Sequence, residues 1–61
     1  MKPLTKETEK ELWILKHIAE DVDRLVREGN WMRACSVLMV SLHSIARLTG
    51  CIAAEESRNI K

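Results

Sequence analysis

The chain has 61 residues, with ten Lys or Arg against nine Asp or Glu. That length allows one domain with a small core, and the balanced charge excludes the broad electrostatic attraction behind nonspecific binding to nucleic acid or an anionic membrane. A chain this short buries little apolar surface for the conformational entropy it loses, so small domains add disulfides, a metal or a partner chain.

Here the composition favours the partner chain. Trp13 and Trp31 stand without Phe or Tyr, Pro3 is the one proline, and the two glycines are Gly29 and Gly50. The remainder is rich in Leu, Ile, Ala, Glu, Lys and Arg, a helical profile. The first apolar run, Leu12 to Leu15, is too short for a signal peptide and follows an acidic stretch. A cytoplasmic protein with reduced cysteines is therefore expected. Residues 34–54 come nearest to a membrane span, but His43, Arg47, three serines and a threonine interrupt them, so no membrane partner is expected.

In chain order, the first element is a helix over about residues 6–28. Leu12, Leu15, Ile18, Ala19, Val22, Leu25 and Val26 recur with the spacing of one helix face. Thr5 is one candidate cap, and Thr8 with Glu11 three residues on forms a capping box. Glu7, Glu9 and Glu11 suit the positive end of the helix dipole. Glu20 with Arg24, and Asp23 with Arg27, supply i, i+4 pairs.

Gly29 suits the left-handed residue past a helix end, and Asn30 the N-cap of the next helix. So short a turn, residues 29–30, leaves only an antiparallel return. The second helix is expected over about 31–56, continuing through Gly50 or stopping there, with a frayed C-terminal tail. Its apolar side holds Trp31, Ala34, Cys35, Leu38, Leu42, Ile45, Ala46, Ile52 and Ala53. No acid lies between Gly29 and Ala54.

A helix with one neighbour needs only a narrow apolar seam, and both helices here carry more. An all-α antiparallel hairpin that pairs with a second copy as a four-helix bundle covers the excess. Leu15, Ile18, Val22, Leu25, Trp31, Leu38, Leu42, Ile45 and Ile52 are the expected core and dimer residues, with Ala19, Ala34 and Cys35 among the small residues that permit close approach.

Sites of chemistry are sparse. Cys35, His43 and Cys51 fan around the second helix instead of converging, which opposes a metal site. Cys35 lies in the apolar stripe with no base beside it and reads as a buried thiol. Glu20, Asp21 and Asp23 read as a solvated face. No catalytic, cofactor or metal residue is assigned. Trp13, beside Lys16 and His17, projects away from the apolar stripe as a partner anchor or as a cover for the core edge. Arg33, Val40 and Arg47, seven residues apart and extended by Ser36, His43 and Arg58, line an outward strip suited to phosphates or to an acidic protein surface.

The expected architecture resembles that of the Rop-type plasmid regulators, small antiparallel hairpins that dimerise into four-helix bundles and bind paired RNA loops. The likeness is one of shape alone and carries over no residue. It implies RNA binding through the basic edge of the second helix as the alternative function. The leading expectation is a small non-enzymatic regulator or adaptor, of bacterial or phage character, that binds itself and another protein; an enzyme or cofactor carrier comes third.

Overall fold

The computed structural model describes residues 3–60. Among them all regular structure is α-helical: α1 spans Lys6–Arg27, α2 Trp31–Val40 and α3 Leu42–Asn59. Thr5 is extended (φ −69°, ψ 159°) and its Oγ1 accepts the Thr8 N–H at 3.2 Å, which caps α1. Thr8 and Glu11 therefore do not form the alternative capping box; both are buried against α3. On the solvent side Arg27 pairs with Asp23 at 2.9 Å as expected. Arg24 reaches Asp21 and Glu28 rather than Glu20.

The end of α1 is a complete Schellman motif. The Gly29 N–H donates to Val26 O at 3.0 Å and the Asn30 N–H to Leu25 O at 2.8 Å. Gly29 has φ +79°, where a side chain is strained. Nothing stands within 4 Å of the position a Cβ would take. Gly29→Ala therefore meets backbone strain without a clash and is expected to lower stability by about 1 kcal/mol, read from urea unfolding. Asn30 precedes α2 as expected, but its side chain makes no capping hydrogen bond. Trp31 Nε1–H instead spans the turn to Val26 O at 3.2 Å.

The single helix expected over 31–56 is two helices, bent by 45° at Ser41. The Ser41 N–H is shared between Val37 O and Leu38 O, and Ser41 Oγ donates back to Val37 O at 2.6 Å. A hydroxyl that competes for the i−4 carbonyl loosens the backbone ladder there and bends the helix. Gly50 does not end α3, which continues to Asn59 in place of a frayed tail.

α1 packs against both α2 and α3. The return path is antiparallel: Thr5 and Thr8 meet Glu55, Glu11 meets Arg47, and Val26 meets Trp31. The result is a thin rod of 48 × 16 × 14 Å.

The packing seam is not the one the apolar pattern picks out. On the returning strand of helix, the buried or half-buried positions are Ala34, Val37, Ser41, Ser44, Leu48, Cys51, Glu55 and Arg58, alternating three and four residues apart. Facing them on α1 are Thr8, Glu11, Ile14, Ile18, Val22 and Leu25. Of the nine expected core residues only Leu25 is buried, with Ile18 and Val22 half-buried. Leu15, Trp31, Leu38, Leu42, Ile45 and Ile52 are exposed in the single chain, because the seam runs one residue before the bulky stripe. The same offset leaves Cys35 exposed, so it is not a buried thiol.

Candidate interaction surface

Two surfaces follow from this offset, one polar and internal, the other apolar and external. The polar one is a clasp at the open end. The Glu55 carboxylate of α3 sits at the N-terminus of α1, where Oε2 accepts the Thr5 N–H at 3.0 Å, the Thr5 hydroxyl at 3.0 Å and the Thr8 hydroxyl at 2.7 Å. Its Oε1 takes the Arg58 guanidinium, which also donates to Pro3 O at 3.3 Å. A carboxylate at a helix N-terminus meets free N–H groups and the positive dipole end.

These contacts, the Thr8 hydroxyl first and the Thr5 N–H next, hold the Glu55 carboxyl at about 2, against an ordinary value of 4.5. A depressed folded-state value means the ionised clasp stabilises the fold above about pH 4.5, and that this contribution disappears as pH falls toward 2. Acid titration of the helical circular dichroism is expected to show a loss across that window. Glu55→Gln should lower the melting temperature at pH 7 and shrink the acid-dependent loss; an unchanged acid limb would show that other carboxylates carry it.

One turn further in, Glu11 is buried and its Oε2 lies 3.5 Å from Arg47 Nε. Among the described residues its Oε1 has no hydrogen-bond partner. Cys51 Sγ–H reaches Glu7 Oε1 at 3.6 Å, and burial, then the Glu7 charge, push the Cys51 thiol up. These side chains share a groove with Lys10, Gly50 and Ala54. Among the described residues no group of three or more His, Cys, Asp or Glu side chains is placed to hold a metal ion.

The basic strip is taken apart by the same contacts. Arg47 turns to Glu11 and to Ser44 Oγ at 3.4 Å, and Arg58 closes on Glu55. Arg33 stays exposed, in a depression with Asp21, Arg24 and Glu28 at the turn end. Val40 is exposed at 74 %. Trp13 is 59 % exposed, its ring against that of His17 with centroids 3.8 Å apart. His17 Nδ1 hydrogen-bonds Trp13 O at 3.0 Å, which fixes the imidazole. Trp13 also borders a shallow groove with Lys16, Leu12 and Leu15. Sequence spacing brings Trp13, Lys16 and His17 together on α1, but the arginines do not join them.

The apolar surface is the larger feature. Trp31, Cys35, Leu38, Leu42, Ile45, Thr49 and Ile52, again three and four residues apart, are all exposed. Trp31 and Leu42 keep 65 % and 64 % of their surface in water. On α1 the matching stripe is Leu12, Leu15, Ala19 and Val26, exposed or half-buried, with Val22 of the seam at its border. Each stripe lies one residue onward from its helix's packing seam, a rotation of about 100°. In antiparallel helices viewed along one axis, that step turns clockwise on one and anticlockwise on the other, so both stripes face the same side of the pair.

The chain matches no known protein family, no curated protein and no solved structure. Its functional reading therefore rests on geometry. Among the described residues no single helix is long and apolar enough to cross a membrane; α2 and α3 reach that composition only together, across the 45° bend.

Proposed function

We propose that this chain is a small non-enzymatic regulator or adaptor that works by protein–protein interaction, as a homodimer of two helical hairpins closed into a four-helix bundle. The observation behind this reading is the exposed apolar face just described. Contiguous apolar patches of that size mark association sites, since a lone soluble chain rarely leaves one in water. Each helix has one seam for its own chain and a second about 100° round, the arrangement a helix needs to touch two neighbours in a bundle.

The test is solution mass. Static light scattering across a dilution series is expected to give about 14 kDa, twice the 7.0 kDa chain, with dissociation toward 7.0 kDa at low concentration. A well-folded 7.0 kDa species at every concentration would sink the reading. RNA binding has weaker support, because Arg47 and Arg58 are committed to carboxylates inside the chain.

A further inference from the structure

We infer that the two copies pack with their turns at opposite ends of the bundle, α1 against the partner's α1 and the bent α2–α3 arm against its counterpart. This inference rests on the self-association proposed above and specifies its geometry. Three observations carry it.

The first is that the apolar face is nearly its own reverse. On α1 it runs from Leu12 to Val26 and is centred on Ala19; on the other arm it runs from Trp31 to Ile52 and is centred on Ser41 and Leu42. The two centres stand close in height: between the contact of Thr8 with Glu55 at the open end and that of Val26 with Trp31 at the turn, Ala19 falls level with about residue 40, just before the α2–α3 junction. A two-fold axis across the helices at that level brings Leu12 to the partner's Val26, Leu38 to the partner's Ile45 and Leu42 to the partner's Leu42. The Ser41 bend falls at the axis and is repeated by it. Ala19 would meet the partner's Ala19, where two small side chains let the helices close.

Charge is the second observation. Along the edge of the α1 stripe, one residue further round, stand Glu9, Lys16, Glu20, Asp23 and Arg27, all exposed. The same axis places Lys16 beside the partner's Glu20 and the partner's Asp23, and Glu9 beside the partner's Arg27. Those meetings are between opposite signs; Glu20 also approaches the partner's Glu20 across the axis, and there a Lys16 stands beside each carboxylate. If the turns lay at the same end, α1 would instead run along the partner's α2–α3 arm, which has no acid between Gly29 and Ala54. Lys16 would then have no carboxylate beside it. Edge charges set orientation in helical assemblies in this way.

The third is size. From Trp31 to Ile52 the face is about 31 Å long at 1.5 Å per residue, and two helices make it about 20 Å wide. That projection, about 600 Å², is of the order of the ~800 Å² per partner of a stable protein interface.

Two measurements test the orientation. In a chain carrying Cys35→Ser and Cys51→Ser, Ala19→Cys is expected to form a disulfide-linked dimer quantitatively on mild oxidation, because facing α1 helices bring the introduced thiols within bridging reach. With the turns at the same end the two α1 helices lie diagonally across the bundle, beyond that reach. Separately, one chain carries Lys16→Glu and another Glu20→Lys with Asp23→Lys. Mixed and read by native mass spectrometry, they are expected to give a mixed dimer well above the roughly one-half expected by chance, at about nine-tenths. A dimer by mass that neither crosslinks at position 19 nor departs from statistical mixing would overturn the orientation while leaving self-association intact. A monomer throughout would overturn both.

Discussion

Leu42→Glu is expected to weaken self-association at least 100-fold, moving the solution mass at micromolar concentration from about 14 kDa (twice the chain) to 7.0 kDa. In the single chain Leu42 is 64 % exposed at the first residue of α3, so the substitution removes little intrachain packing there. A glutamate in the first helical turn also suits the helix dipole. The cost falls on the complex alone. At the proposed two-fold axis each carboxylate would be buried beside its symmetry mate, without a partner of opposite charge, and an unpaired buried charge costs about 3–5 kcal/mol. Sedimentation velocity across a concentration series reads the result directly. Because short hairpins lean on their partners, the variant is also expected to lose helical signal on dilution sooner than the parent chain. A dissociation constant unchanged by Leu42→Glu would remove this face from the interface.

Leu48→Ala is expected to act on the chain itself, lowering stability by about 2–5 kcal/mol. Leu48 is 6 % exposed in the intrachain seam, where among the described residues the buried apolar side chains are Leu25, Ala34 and Leu48. Its neighbours along the seam of its own helix are small, Ser44 and Cys51, so they close poorly over a cavity. A core in a chain of this size supplies only about 3–5 kcal/mol, so the loss removes most of the folded population when the partner is dilute. Ile52→Ala is the matched control: Ile52 is 55 % exposed, and its truncation should weaken association with little effect on the lone chain. Thermal melts of both variants at two concentrations separate the effects. Equal losses in both would show that seam and face are one continuous core.

Some of this architecture is legible in the residues and some is not, for reasons specific to each. Gly29 announces its own conformation, because the φ of +79° after a helix end is one that glycine tolerates and other residues resist. Thr5 at the N-cap is readable in the same way, from chemistry confined to a few neighbours. The bend is harder to see. Ser41 is one of four serines in the chain, and whether its hydroxyl turns onto the preceding carbonyl depends on what the helix packs against. The arginine strip fails differently: Arg47 and Arg58 look free at seven- and eleven-residue spacings, but their carboxylates arrive from α1 or lie one turn back and buried. Of the candidate anchors, Trp13 with His17 was legible because both lie on one helix four residues apart.

Local rules and periodicity by themselves determined an all-helical chain, a helix end at Gly29 and more apolar surface than a narrow seam requires. Those properties depend on backbone preferences and on residues within a turn or two of one another. Which adjacent stripe faces the chain's own second arm was decided only by tertiary structure. A shift of one residue rotates a helix by about 100°, too little to change the pattern and enough to exchange inside for outside. The observed rotation brings together residues 47 apart: the Thr8 hydroxyl on the Glu55 carboxylate, with Thr5 and Arg58 completing its shell. Seating those groups in the seam satisfies a carboxylate at a helix terminus, and it leaves Leu38, Leu42, Ile45 and Ile52 facing outward.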